Sequence, residues 1–311
     1  MATETRTHDD YTVGWVCALP KEQAAAIAML DQRHPDLFRP PNDCNTYILG
    51  SIGKHNIVIA CLPAGKISTN AAATVAIQMI NTFPSIKFGL IVGIGGGIPH
   101  KGKIRLGDVV VSVPSDQYPG VVQWDSGKAE HAGKFKRTGA LNNPPTVLLT
   151  ALSKVAAYYE LEGSKIPGYL DEMKQKYPRL ETKYLKSDSL EDVLFKANYH
   201  HCDESRSRKH ASLECSDGDK EEEEEEYSCQ YCDKAKVVKR KPRNMRVHYG
   251  LIASGNQVIE DSSFREKLNR DLGGTVLCVE TGAAGLMDNF PCIVIRGIWC
   301  YADSHKNTLR P

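Results

Sequence analysis

No apolar run in this 311-residue chain reaches the roughly 20 residues that a membrane-spanning helix needs. An excess of either charge is missing too: 39 Lys and Arg against 38 Asp and Glu leave a formal net charge of +1. That removes the global electrostatic case for nucleic acid or an anionic membrane as a partner. No internal repeat is present, so solenoids and propellers are not expected. Met1 to Asp10 is polar and acidic and lacks the apolar run of a secretory signal; it is expected to be a flexible N-terminus. The ten cysteines are scattered. Cys17, Cys61, Cys278 and Cys292 sit inside apolar strand-like runs, where a thiol is most often a small buried hydrophobe. A reducing compartment, cytoplasmic or nuclear, is the expectation.

What is present suits one large α/β domain over residues 11–311. Hydrophobic residues make up 41% and charged residues 25%, ordinary for a soluble globular chain long enough to bury a sizeable core. Tyr11 to Leu19 reads as a short strand. Thr46 to Ile52 and His55 to Leu62 read as a hairpin turning at Gly53-Lys54. Thr69 to Phe83 carries apolar residues at helical spacing behind the capping side chains of Ser68, Thr69 and Asn70. Phe88 to Ile94 and Gly107 to Val113 are continuous apolar runs, as in strands buried on both faces. Pro144 to Tyr159, Pro167 to Lys176, Asp261 to Asp271 and Glu280 to Asp288 read as helices. Val247 to Ala253, Thr275 to Val279 and Cys292 to Ile298 read as strands. The alternation predicts an α/β fold with a central sheet and helices on both faces.

Residues of about 187–246 break that pattern. The stretch is polar and irregular, holds six glutamates from Glu221 to Glu226, and continues into the basic run Lys234 to Arg246. It is expected to be a solvated insertion loop whose basic part could fold back on the glutamates. Within it Cys229-Gln230-Tyr231-Cys232 is half of a common zinc spacing, with His200, His201, Cys202 and Cys215 as conceivable partners. Only half a motif is recognisable, so no metal is assigned and a pair of surface thiols is the expected reading.

Four places could carry chemistry. Gly93-Ile94-Gly95-Gly96-Gly97-Ile98-Pro99 follows an apolar run; such glycines admit a ligand close to the backbone, or simply form a tight turn. The spacing is not a dinucleotide-binding fingerprint. Glu22, in Ala18-Leu19-Pro20-Lys21-Glu22, stands just past a strand end. By itself it reads equally as a solvated residue at a helix start. Glu280-Thr281-Gly282-Ala283-Ala284-Gly285 and Arg296 to His305 are two further strand ends. Carboxylates and glycines thus recur where α/β folds form ligand sites.

With these blocks, and with Gly250-Leu251-Ile252-Ala253-Ser254-Gly255-Asn256-Gln257, the chain from Tyr11 to Asn307 resembles the nucleoside phosphorylase superfamily. That superfamily includes purine and uridine phosphorylases and methylthioadenosine/adenosylhomocysteine nucleosidases, and the resemblance is nearest to its fungal branch. It implies a nucleoside phosphorylase-like fold and cleavage of the N-glycosidic bond of a purine nucleoside or nucleotide. It implies no cofactor, and a homo-oligomer as a further partner. Glu22 matches the carboxylate that orients the attacking water in nucleosidases. Phosphorylases carry an arginine nearby, and Leu19 to Ala24 has none, which favours hydrolysis. Ile94, Gly95 and Gly96 match the backbone near the anomeric carbon. Ser254, Gly255, Val258 and Ile259 match the segment over the base, with Val258 where an aromatic is common. Glu280, Thr281 and Gly282 match the segment beneath the ribose.

Three departures accompany the resemblance. The expected Glu-Met-Glu is Glu280-Thr281-Gly282, so the ribose-binding second glutamate is a glycine. The aspartate expected after Arg-Gly-Ile and one further residue, the acid for the purine N7, is Cys300, and a thiol is a weak donor. Asp303 is a substitute to consider, with a structural role of its own also expected. Losing a general acid costs about 10²–10⁴-fold in rate. The alternative reading is therefore a catalytically impaired nucleoside-binding or interaction module. Finally, the resemblance implies a C-terminal helix beyond Asn307, whereas this sequence ends at Pro311; an uncovered or oligomerising face is the expectation.

Overall fold

The computed structural model describes residues 6–99, 102–131, 134–181, 192–202 and 229–305. Its strands are β1 (Val13–Cys17), β2 (Gln32–Arg33), β3 (Tyr47–Ile52), β4 (His55–Cys61), β5 (Phe88–Gly97) and β6 (Val109–Ser112). They continue with β7 (Val121–Gln123), β8 (Gly127–Glu130), β9 (Lys134–Arg137), β10 (Val247–Gly255), β11 (Val276–Thr281) and β12 (Cys292–Cys300). The helices are α1 (Pro20–Ala28), α2 (Thr69–Thr82), α3 (Thr146–Glu162), α4 (Ile166–Lys176) and α5 (Ser262–Asp271).

The mixed central sheet is built around β5, which runs parallel to β1 on one side and to β12 on the other. β12 is antiparallel to β6, β6 is parallel to β10, and β10 is parallel to β11. β11 then returns antiparallel to β5 at Gly96 and Gly97. Five strands so close on one another, while β1, β4, β3 and β2 extend from β5 as an open wing. In that wing the period of two in a strand sorts the core. Val58 and Ala60 of β4 pack with Ala72, Val75 and Met79 of α2; Ile57 and Ile59 pack with Ala26 of α1 and Leu30. The two helices therefore cover opposite faces, as the α/β reading requires. Ser68 caps α2 by accepting from Ala71 N at 3.2 Å, and Asp261 caps α5 through Ser263 N at 2.7 Å.

Several expectations are corrected. The glycines after Ile94 are not a turn: β5 continues through Gly97. Glu280 to Asp288 is not a helix but the end of β11 followed by a single 3-10 turn, Ala283–Gly285. Its small residues serve close approach instead, since a Cβ on Gly285 would collide with the Thr69 backbone. Of the N-terminal residues expected to be flexible, His8–Asp10 form a 3-10 turn and His8 Nε2 bonds Phe38 O at 2.9 Å. α3 forms as read, yet buries none of its residues and leaves Val147, Val155 and Leu161 exposed.

The polar stretch of 187–246 is the largest difference. The glutamate run and Cys215 lie outside the described residues. Residues 192–202 and 229–246, however, belong to the fold: Leu194 and Phe195 are buried, and Phe195 pairs with Val237 in an isolated bridge. The basic run is held by acids of the domain. Arg240 bonds Asp192 at 2.9 Å, and Arg243 Nη1 bonds Asp108 at 2.8 Å. Asp108, fully buried ahead of β6, also accepts from the backbone N–H of Arg105 and Arg246 and pairs with His248 Nε2 at 2.8 Å. Burial opposes its ionisation, but the bonds from Arg243, His248 and the two backbone groups prevail and hold its carboxyl well below the ordinary range.

A depressed carboxylate stabilises the fold in full above its unfolded pKa of about 3.9, and that contribution fades as the pH falls through the folded value. Asp108→Asn strands the Arg243 charge and should cost roughly 3 kcal/mol at neutral pH. The deficit against the parent chain should shrink below about pH 4. Urea unfolding from pH 7 to pH 3 measures both; equal stabilities at pH 7 would contradict the assignment.

Candidate functional site

The sheet fixes the site by bringing the ends of β1, β5, β11 and β12 together. β1 ends at Cys17, and Pro20 at the first helical position starts α1 where its missing N–H is not needed. Glu22 thus falls on the first turn of α1 and reaches back to the sheet. Its Oε2 accepts from Ala18 N at 2.7 Å and Leu19 N at 3.0 Å; its Oε1 accepts from Ile94 N at 2.7 Å. The residue is 9% exposed. A carboxylate has about four acceptor positions. Three are filled by backbone donors, which leaves one for a water or a ligand hydroxyl.

The carboxylate lies directly over Gly93. A Cβ there would overlap Glu22 Oε1 and Arg296 Nη1 together. Arg296, from the middle of β12, turns its other terminal nitrogen to Glu280 at the end of β11, a pair with both side chains almost completely buried. Glu280 also accepts from Ala283 N at 3.3 Å. Arg296, Thr281, Gly282, Cys17 and Ala18 share in lining a cleft that encloses about 220 Å³, part of it open to solvent. Burial, with Glu22 adding to it, raises the Cys17 thiol, and the same causes push Cys61 up to about 11. Both stay protonated and are poor nucleophiles.

The expected residues divide as follows. Thr281 and Gly282 line the cleft, whereas Glu22, Ile94 and Glu280 stand behind its lining, Glu22 bonded to Ile94 N over Gly93 and Glu280 paired with Arg296. Gly95 and Gly96 follow Gly93 along β5: a Cβ on Gly96 would lie 2.8 Å from the Ala302 methyl. Ser254 is fully buried opposite Glu280 in the β10–β11 register, and its Oγ accepts from Ala284 N at 2.9 Å. Gly255 is covered by the Trp124 indole. Val258 is 68% exposed, whereas Ile259 is buried in the neighbouring core. Cys300 ends β12 beside Gly96, after a register shift at Trp299.

Asp303, the substitute considered for the expected acid, is buried and already bonded. Its carboxylate bonds Arg265 at 3.4 Å and His305 N at 3.0 Å, and Arg265 also bonds Tyr301 O at 2.5 Å. These bonds fix the chain after β12. Gly282 is more than an absent side chain, for its φ is +118°, in the range that favours glycine.

Trp124 was not singled out by the sequence, and Arg296 and Asn256 were named only within longer blocks, without a role of their own. An arginine inside the apolar run Cys292–Cys300 was the available signal, because a charge in a buried strand must be paired. Asn256 ties the loop after β10 to α2 and to β7: its Oδ1 accepts from Thr69 N and Oγ1 at 3.1 and 2.8 Å, and its N donates to Asp125 at 2.7 Å. Only proximity in space reveals those contacts.

Closed mixed sheet, glycine-floored strand end and carboxylate on the first helical turn define a fold of the nucleoside phosphorylase type. Comparison with solved structures gives the same fold. A methylthioadenosine/adenosylhomocysteine nucleosidase from Streptococcus pneumoniae, solved with the transition-state inhibitor MT-ImmA, matches with a TM-score of 0.52 at 16% identity, over 94% of this chain and 87% of that one. A putative nucleosidase of the same type from Borrelia burgdorferi B31, bound to adenine, gives 0.55 at 15% identity, over 96% and 89%. Futalosine hydrolase of Helicobacter pylori gives 0.52 at 16% identity, over 96% and 88%. No protein-family model matches the chain. In sequence it is 44% identical over 304 residues to a nucleotide-binding leucine-rich repeat (NLR)-like protein of Hyaloscypha variabilis. The match covers 96% of this chain and 27% of that protein, so the chain spans about a quarter of its relative's length.

Gly93→Ala should lower the melting temperature, because the added methyl must displace Glu22 or Arg296 from buried bonds, at about 1–3 kcal/mol. Gly297→Ala is the control, since a Cβ there meets nothing within 4 Å. Equal melting temperatures for the two variants would show that Glu22 and Arg296 do not lie over Gly93.

Proposed function

We propose that this domain binds a purine nucleoside or nucleotide in the cleft at the ends of β1, β5, β11 and β12 and hydrolyses its N-glycosidic bond slowly. The observation that carries the reading is the Glu22 carboxylate, fixed by three backbone donors over Gly93 with one acceptor position to spare. In the proposed reaction a water held there attacks the anomeric carbon. Its proton passes to Glu22, the C–N bond breaks, and the purine leaves with the bonding pair and takes up a proton. Hydrolysis is preferred to phosphorolysis because Leu19–Ala24 holds no arginine and Arg296 is committed to Glu280. Water therefore meets a ready acceptor in Glu22, whereas a phosphate dianion would meet Arg296, the cation among the described lining residues, already paired with Glu280.

The rate is expected to be low. Cys300 stands in for the carboxylic acid on the base, a loss of about 10²–10⁴-fold, or about 3–5 kcal/mol of barrier. Gly282 leaves the ribose hydroxyls to Glu280 and backbone groups. A second reading, nucleoside recognition without turnover, is favoured by the Gly282 backbone: at φ +118° the missing glutamate cannot be restored without strain. The NLR-like relative fits that reading as well. A cytoplasmic location and a homo-oligomer remain part of the proposal; the apolar side chains left exposed on α3 would form the contact.

Release of free base from adenosine, guanosine and methylthioadenosine, with and without phosphate, tests the proposal. Slow phosphate-independent release is expected, raised about 10²-fold or more by Cys300→Asp. Gly282→Glu should fail to help and should destabilise the chain by about 1–3 kcal/mol. Release that requires phosphate would overturn the hydrolytic reading. Absence of release from both the parent chain and Cys300→Asp, with retained nucleoside binding, would establish the second.

A further inference from the structure

Two described segments of the polar stretch, 192–202 and 229–236, meet at a cluster of soft ligands. Cys229–Tyr231 form a 3-10 turn, closed by Cys232 N donating to Cys229 O at 3.1 Å, which brings both thiols to the same side. Opposite them stands His201, whose Nδ1 lies 3.8 Å from Cys229 Sγ and 3.4 Å from Cys232 Sγ. All three ligand atoms lie within 4.8 Å of one another. Cys232 is only 4% exposed and Cys229 is half-buried, which corrects the expectation of a surface pair.

We propose that His201 Nδ1, Cys229 Sγ and Cys232 Sγ bind a structural zinc ion. With Zn–S near 2.3 Å and Zn–N near 2.0–2.1 Å, sulfur and nitrogen ligands of a tetrahedral site stand about 3.6 Å apart. The two His201–cysteine separations bracket that edge. Two thiolates and an imidazole select zinc over the hard cations, which prefer oxygen. His305 is the candidate for the fourth corner. Its ring packs edge-to-face on His201 with centroids 5.8 Å apart, its side chain is 5% exposed, and its Nε2 has no hydrogen-bond partner among the described residues.

The ion's work would be mechanical. His201 N donates to Ser304 Oγ at 3.0 Å, and Phe195, Tyr199 and His305 stack in one pile. Zinc at this point locks residues 192–202, residues 229–236 and the chain after β12 into one unit, four or five residues beyond Cys300. Residues 192–202 and 229–236 are then a clasp on the strand end that carries the site.

Metal analysis of the full chain, purified without chelators or added metal, tests this directly. About one zinc per chain is expected, in keeping with the affinity of structural sites. Replacement by Co²⁺ should give tetrahedral d–d bands with a thiolate-to-cobalt charge-transfer absorption. His201→Ala and the double variant Cys229→Ser, Cys232→Ser should lose the metal, and chelator should lower the melting temperature of the parent chain but not of these variants. His305→Ala should weaken binding and shift the cobalt bands. Should the double variant fail to fold, the cobalt spectrum of the parent chain still decides. The proposal falls if the parent chain holds no zinc and gives no thiolate–cobalt band, if Cys229 and Cys232 are recovered as a disulfide, or if the double variant keeps its full metal content.

Discussion

Glu22 places a carboxylate against the middle of a buried sheet, and the surrounding chain is arranged to make that tolerable. Burying an unpaired carboxylate is costly. Here three backbone donors, two just past the end of β1 and one within β5, meet it, and the strand beneath it has no side chain at Gly93 to obstruct it. Arg296 shares the same gap and is in turn neutralised by Glu280. These four residues form one dependent chain. Loss of the glycine displaces both charged groups, and loss of Arg296 leaves Glu280 buried with only Ala283 N as a donor. Donors fixed in advance of the ligand are what a binding site needs, since little reorganisation remains to oppose binding.

The departures of this chain are of a different kind from its retained features. In the proposed reaction the scaffold for a water on Glu22 is in place, while the positions that the resemblance assigns to the sugar hydroxyls and the leaving base are altered. Gly282 follows β11 and Cys300 ends β12, two strands that each pair with β5, and against the family pattern both changes remove a carboxylate. With them gone, Glu280 is bound only by Arg296 and the turn after β11. Asp303, the nearest acid in sequence to Cys300, is committed to Arg265. Such a pattern fits a site that holds its ligand longer than it transforms it. The fold alone would not distinguish that behaviour from rapid turnover.

Much of the scaffold was legible in the sequence because its signals are local. Two strand-like runs on either side of the Gly53-Lys54 turn revealed β3 and β4, and Ser68 announced α2. Glu22 and the glycines of β5 were legible only through their resemblance to a family pattern, since each alone has an ordinary explanation. What escaped detection is long-range pairing. Asp108 bonds Arg243 across 135 positions, and Asn256 bonds Thr69 across 187, so no window of sequence contains both partners. For the same reason residues 192–202 and 229–246 read as solvated: their charges are satisfied by the domain, and Leu194 and Phe195 are too few to produce a periodic signal. The segment after Glu280 misled in the other direction, since small residues that permit a helix also permit the close approach of Gly285 to Thr69.

The central claim is that the Glu22–Gly93–Arg296–Glu280 chain forms a preorganised nucleoside site. Calorimetric titration of the purified chain with adenosine and with methylthioadenosine tests it most directly. The account predicts saturable binding of one nucleoside per chain, lost when Gly93 becomes alanine and kept when Cys300 becomes aspartate. No binding up to millimolar nucleoside, or binding indifferent to the Gly93 substitution, would contradict it.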